Sequence, residues 1–274
     1  MMDLAGLTDA DRVVLMEQAF STVDEVCSQL TGAEWDAPTD LPGWSVKDNL
    51  SHLAHYESIA AGMPQPPERP TAHLTHMKDD FGRRNEIGVE ARRPLPGPQI
   101  LEEFRTATTA RLKQLADFDE QRWSAPTKSP VGELETRNFL GIRILDVFYH
   151  EQDIRRATNR PGHLDGQVAA FVFTRFAQLS VPRIVVKAGQ APDGSVVVFD
   201  VAAPGEPFAV EVKDGKGVLV PPPADATARI ATDFEAFLCL IGGRRTREQL
   251  GERVRIDGDA ALAGRILDNL VVVP

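Results

Sequence analysis

The sequence predicts a two-domain α+β protein: an up-and-down four-helix bundle over residues 1–188, then a small α+β domain over residues 189–274. Three observations predict it. Apolar residues recur at three- and four-residue spacing behind capping boxes through the first part. Proline-rich stretches separate those helical segments. After Gly189 the texture changes to β-branched runs divided by Gly-containing turns.

Thr8 and Asp11 form the first capping box, and Met16, Phe20, Val23, Cys27 and Leu30 make one apolar face behind it. Pro38, Pro42 and Gly43 mark a loop, and Ser45 with Asp48 opens a second helix running to about Ala61. Pro64 to Pro70 is not a regular helix, since proline removes the backbone donor. A short helix is expected around His76 to Glu90. A longer one, with Ile100, Phe104, Leu112 and Leu115, is expected from Gln99 to about Phe118. A loop carrying Pro126 and Pro130 leads to a helix from about Asn138 to Thr158, stopped by Asn159-Arg160-Pro161-Gly162. A further helix is expected from Asp165 to about Leu179.

In the second part, Ser195–Val201 reads as a strand. Phe208–Val212 and Val218–Val220 read as a hairpin closed by Asp214-Gly215-Lys216-Gly217. Ala226–Ala231 is a further strand. Thr232 or Asp233 caps a helix to Leu240, ended by Gly242-Gly243. Arg253–Ile256 is the last strand, and Gly258-Asp259 opens a helix carrying Leu262, Ile266, Leu267 and Leu270.

Composition narrows the function classes. With 42% hydrophobic and 26% charged residues the chain is globular in make-up, and its net charge of −10 disfavours nucleic acid or an anionic membrane as partner. No run is seen approaching the roughly 20 apolar residues that span a bilayer, and no basic-then-apolar signal opens the chain. The cytoplasm is therefore the expected location. Cys27 and Cys239 are the only cysteines, too few for a thiolate-rich zinc site. Any metal must be held by His and carboxylates. Cys27 lies in an apolar stripe and reads as core packing rather than a reactive thiol. The chain has no Gly-rich dinucleotide loop, phosphate loop or serine nucleophile elbow.

Asp146 and His150 are the sharpest chemical feature. Four residues apart on a helix that is apolar on nearly every side, they share one face. Burying them requires a partner. One reading is a plain Asp–His hydrogen bond; the other is a divalent cation on the carboxylate oxygen and a neutral ring nitrogen. Asp153, one turn on, is a candidate acceptor for His150. His52, among Leu50, Leu53 and Ala54, is a possible third ligand, with His55 as rival or addition. His73 and His76 form a second His pair in a Pro-rich connection, and His163 follows a helix stop. Two His and one carboxylate would leave open positions, the pattern of catalytic sites, and would suit zinc, iron, nickel or manganese. Arg244, Arg245 and Arg247 read as a solvated turn, with contact to an anionic substrate as the alternative.

The segment Leu41-Pro42-Gly43-Trp44-Ser45-Val46-Lys47-Asp48-Asn49-Leu50-Ser51-His52-Leu53 resembles a signature of the mycothiol-dependent maleylpyruvate isomerase family, part of the DinB-like metal-binding bundles. The run from Asp146 to Ala157, containing His150-Glu151-Gln152-Asp153-Ile154-Arg155-Arg156, resembles its second signature. The tail from about Ser195 to Leu270 is similar to sterol-carrier-type domains. The resemblance implies metal ligands at His52, Asp146 and His150, with Asp146 standing where the family has Glu. It implies one divalent ion, zinc first, and mycothiol as thiol cosubstrate. It also implies an actinobacterial enzyme whose thiolate adds to a cis double bond, lets it rotate, and leaves; related bundles carry out other thiol transfers. The expected partners are a small electrophile and a low-molecular-weight thiol, the chain acting as monomer or homodimer. The competing expectation is a binding protein for a hydrophobic ligand, with a structural or vestigial metal.

Overall fold

The computed structural model describes residues 1–71, 73–75, 77, 80–129 and 132–272, without the side chain of Phe81. The chain forms two compact units, Gly6–Gly162 and Met1–Ala5 with His163–Pro274. It is a two-domain α+β protein, helical first and mixed second.

The first unit contains α1 (Asp9–Ser28), α2 (Val46–Ala60), α3 (Asp80–Arg92), α4 (Gly97–Ala116), the short α5 (Glu120–Ser124), a hairpin of β1 (Pro126–Ser129) and β2 (Gly132–Glu135), and α6 (Thr136–Ala157). Four helices pack in the ring α1–α4–α2–α6, each against two others, and α3 lies on α2. Both expected capping boxes form. Thr8 Oγ1 accepts from Asp11 N at 3.1 Å, and Ser45 Oγ accepts from Asp48 N at 3.3 Å while Asp48 Oδ2 accepts from Ser45 N at 2.9 Å. The ring centre is filled from all four helices by Met16, Phe20, Leu50, Leu53, Ile100, Phe104, Ile144 and Phe148, with Phe20 and Phe104 edge to face at 5.8 Å. The hairpin replaces the loop expected at Pro126 and Pro130. Pro126 is the first residue of β1, a position where the missing donor costs no ladder bond.

The second unit contains α7 (Gln167–Arg175), a π-helical turn (Phe176–Ser180), α8 (Val181–Lys187), β3 (Val196–Val201), β4 (Phe208–Lys213), β5 (Lys216–Val220), β6 (Ala228–Thr232), α9 (Phe234–Ile241), the short α10 (Arg247–Leu250), β7 (Val254–Gly258) and α11 (Ala260–Asp268). Its sheet runs β5-β4-β3-β6-β7, antiparallel except for the parallel pair β3–β6. Asp233 is the cap of α9.

The sequence reading assigns residues 163–188 to the bundle, whereas they pack within the second unit. The apolar face of α7 supplies the reason. Phe173 meets Phe208, Phe234 and Phe237 at 5.8, 5.5 and 5.5 Å, beside the stacked pair Phe199–Phe208 at 5.0 Å. Gln167–Lys187 is one helical stretch of 21 residues that is long and apolar enough to cross a membrane. Of its most apolar window, 61% is buried inside the structure, as in a core helix. The sequence reading missed it because Arg175, Arg183 and Lys187 break the apolar run.

Candidate metal centre

Two helices of the first unit build the centre. Ser45 and Asp48 fix the start of α2, and one further turn presents His52 to the ring interior. On α6, Arg143, Asp146 and His150 recur at three and four residues and share a face. His52 Nε2 lies 3.2 Å from Asp146 Oδ2, and His150 Nε2 lies 3.6 Å from Asp146 Oδ1. The imidazoles meet edge to face with centroids 4.6 Å apart. One ligand-type atom from each of the three residues lies within 4.8 Å of the other two. The His52 and His150 side chains are 3% and 7% exposed and that of Asp146 is 26% exposed, so solvent reaches the cluster at the carboxylate edge.

The surroundings are polar and closely paired. Asp146 Oδ2 also accepts from Arg143 Nη1 at 2.6 Å, and Arg143 Nε and Nη2 donate to Glu57 Oε1 at 3.2 and 2.8 Å. The same guanidinium lies over the Tyr56 ring at 4.6 Å. His150 Nδ1 contacts Asn49 Oδ1 at 2.7 Å. Trp44 packs against both imidazoles, at 5.2 Å from His52 and 5.6 Å from His150, and its Nε1 donates to Glu86 Oε2 at 2.8 Å. Trp44 also lines a cleft of about 620 Å³ with Thr39, Pro42, Lys47 and Arg93.

Burial pushes His52 down to about 4, so its imidazole is neutral near neutral pH. For His150 burial acts the same way, but the charges of Asp146 and Asp153 outweigh it and raise its pKa. Asp146 resists the upward push of burial because Arg143, His52 and His150 hold it well below the usual carboxylate range. The donor set fits a divalent cation: two imidazole nitrogens and an ionised carboxylate. An unsatisfied atom points the same way. His52 Nδ1 is buried and has no hydrogen-bond partner among the described residues. A neutral imidazole that donates from Nε2 to Asp146 leaves a bare Nδ1 lone pair. One that carries its proton on Nδ1 leaves that donor unused and turns the Nε2 lone pair toward the carboxylate, an arrangement a cation relieves.

The remaining histidines lie elsewhere. His55 is not part of the three-residue ligand cluster, and its Nδ1 lies 2.9 Å from Gln65 Oε1 and 3.3 Å from Arg92 Nη1. His73 is in an exposed turn, and His76 lies outside the described residues. His163 has φ 58° and falls in the second unit. Arg244 is buried rather than solvated, and its Nη1 donates to Gly242 O at 2.7 Å. Sequence reasoning gave Asn49, Arg143, Glu57 and Tyr56 no role. A helical signal was present for two of them: Arg143 precedes Asp146 by three residues, and Asn49 precedes His52 by three.

The sequence model described as mycothiol maleylpyruvate isomerase N-terminal domain matches residues 16–155, just over half of the chain. The chain belongs to this family. Within this member, the model of the SCP-2 sterol transfer family matches residues 187–268. Uncharacterized proteins from two strains of Mycobacterium tuberculosis are each 22% identical to it over 248 residues, covering 83% of this chain and 83% of theirs. The crystal structure of a mycothiol-dependent maleylpyruvate isomerase superposes with TM-score 0.60 at 16% identity, covering 94% of this chain and 96% of that one. A histidine-to-alanine mutant of such an isomerase gives TM-score 0.56 at the same identity and coverage. At that identity the likeness establishes the shared fold.

Proposed function

We propose that this family member binds one divalent metal ion through His52, Asp146 and His150, and uses mycothiol to isomerise or thiolate a small, maleylpyruvate-like electrophile. The convergence of three ligand-type atoms within 4.8 Å, with the carboxylate the most exposed of the three residues, carries the proposal. Zinc is the first choice for two nitrogens and one oxygen; nickel, iron and manganese also suit the set. When bound, the ion supplies a positive centre that lowers the pKa of a thiol.

The chain's own residues do the rest. Asp146 supplies the anionic ligand, and Arg143 keeps it ionised and aimed. Trp44 covers both imidazoles with an apolar ring and also lines the cleft. Tyr56, whose OH donates to Asn85 Oδ1 at 3.0 Å, flanks His52 at 5.0 Å between centroids. The reading carries a cytoplasmic setting, small-molecule partners and a monomer or homodimer, without nucleic acid or membrane. The hydrophobic-ligand alternative draws on the sterol-transfer match, but the centre of the second unit is filled ring to ring by Phe173, Phe199, Phe208 and Phe237.

Cobalt-substituted protein titrated with mycothiol tests the proposal. A thiolate-to-metal absorption band is expected for the wild type, and His150→Ala should lose both metal and band. Fully loaded protein with no spectral response to the thiol would sink the thiol chemistry, and unchanged metal content in His150→Ala would sink the site.

A further inference from the structure

His150 has two ring nitrogens, and ligation requires that the one facing Asp146 keep its lone pair. What decides this lies on α2. Asn49 is fully buried. Its Nδ2 donates to Ser45 O at 2.9 Å and to Thr39 Oγ1 at 3.3 Å. Both partners are oxygens, and Ser45 O has no proton to give, so the amide cannot turn over without setting two acceptors against each other. Its Oδ1 is thereby held toward His150 Nδ1, at 2.7 Å. An amide oxygen only accepts, so Nδ1 must carry a proton, and neutral His150 then has its lone pair on Nε2, the atom facing Asp146 Oδ1.

Asp153, the acceptor expected from the sequence, sits farther away, with Oδ2 3.6 Å from His150 Nδ1. Its Oδ1 accepts from Arg156 Nη2, and Arg156 Nε donates to Asp40 Oδ2 at 2.7 Å. Asp153 therefore adds charge near the ring, while the closer, geometrically fixed contact belongs to Asn49. Thr39 ties this arrangement to the cleft wall, because its Oγ1 also donates to Trp44 O at 2.8 Å.

We infer that Asn49 is a positioning residue that locks His150 in the tautomer with the proton on Nδ1 and the lone pair on Nε2, presetting it as a metal ligand. This rests on the reading of His52, Asp146 and His150 as a metal centre. A ligating histidine held by such a partner loses about 10- to 100-fold in metal affinity when the partner is removed.

The test compares Asn49→Leu, similar in size but without an acceptor, with Asn49→Asp, which keeps the acceptor and gives up the amide donors. Long-range proton–nitrogen NMR of the metal-free proteins, recorded at alkaline pH where the His150 ring is neutral, reads its tautomer, zinc titration against a chromophoric chelator reads affinity, and thermal unfolding reads stability. Wild type and Asn49→Asp should show the Nδ1-protonated form and bind zinc alike. Asn49→Leu should lose that tautomer preference and bind zinc about 10- to 100-fold more weakly, even if Asn49→Asp is the less stable fold. Affinity that follows stability across the three proteins, or an unchanged tautomer in Asn49→Leu, would overturn the inference. Wild-type protein that binds no zinc would instead count against the metal centre, and the tautomer measurement would still judge Asn49.

Discussion

Arg143 donates to Asp146 Oδ2 at 2.6 Å from one turn earlier on α6, so the carboxylate of the candidate centre is shared between a fixed guanidinium and two imidazoles. The same guanidinium holds Glu57, whose side chain is 2% exposed. Arg143 thus joins the centre to a buried ion pair bridging α6 and α2.

Truncating that arginine should cost more than the metal site. Among the described residues, Arg143→Met leaves Glu57 buried with Arg111, at 3.8 Å, as its remaining cation. Breaking one side of a buried pair costs about 3–5 kcal/mol. Adding Glu57→Leu should restore part of that loss, since a well-packed apolar pair often substitutes for a buried ion pair. Urea unfolding of the two variants measures both effects. A single variant within about 1 kcal/mol of wild type would contradict the buried pairing.

Metal removal should be visible as stability. An ion that binds only the folded protein adds about 2.7 kcal/mol at a hundred times its dissociation constant. Chelation is expected to lower the unfolding midpoint of the wild type and to leave that of His150→Ala unchanged. Equal shifts in both proteins would assign the effect to the chelator rather than to the centre.

The fold was legible where its causes are local. The capping boxes at Thr8 and Ser45 depend on residues three apart, and the strands of the second unit are apolar, largely β-branched runs between Gly-marked turns. What the apolar faces of residues 163–188 meet was not legible, because periodicity shows that Phe171 and Phe173 are buried but not against what. The hairpin at Pro126 and the helix at Arg247 were missed because four-residue elements carry too little pattern. Within the centre, Asp146 and His150 announce themselves by spacing. His52 lies 94 residues from Asp146; its apolar neighbours marked it as a possible third ligand, and the resemblance of two separated motifs then set it with Asp146 and His150. Asn49 escaped notice because its partners, Thr39, Ser45 and His150, come together only on folding.

Cys27 should behave as core. It is 1% exposed, and burial, with Asp24 and Glu151 nearby, pushes its thiol pKa far up. Cys239 is equally buried. A colourless disulfide reagent added to native protein should release no chromophore, and two thiols should react after unfolding in guanidinium. Rapid reaction of the native protein would show that α1 or α9 opens readily.

Acid should weaken the second unit through Asp233. It caps α9 by accepting from Ala236 N at 2.9 Å, and it receives Arg253 Nε at 2.7 Å and Nη2 at 2.6 Å. The Arg253 hydrogen bonds, then the cap, hold its pKa below the usual value. A depressed carboxylate stabilises the fold above its unfolded pKa of about 3.9, and that contribution fades as pH falls through the lower folded value. Asp233→Asn keeps a capping side chain but not the charge. Its deficit against wild type should be constant from about pH 5 to 7 and shrink below about pH 4. A deficit that persists unchanged at low pH would assign the loss to the cap rather than to the charge.

Two glycines of the second unit should respond in opposite directions to alanine. Gly217 lies in β5 opposite Val212, under the first turn of α8. A Cβ there would sit 2.4 Å from Pro182 O and 2.9 Å from Pro182 Cα. Both atoms are backbone, so the helix must lift from the strand, and overpacking of this kind costs about 1–3 kcal/mol or more. Gly264 is inside α11, where the nearest foreign atom to a new Cβ is Arg247 Nη1 at 3.7 Å, the tip of a flexible side chain. Alanine at that helical position should stabilise by about 0.5–1 kcal/mol through lost unfolded-state freedom. Denaturant midpoints of Gly217→Ala and Gly264→Ala, measured together, check the docking of α8 on β5. Equal or same-signed shifts would mean that the helix does not rest on that strand closely enough to exclude a methyl group at Gly217.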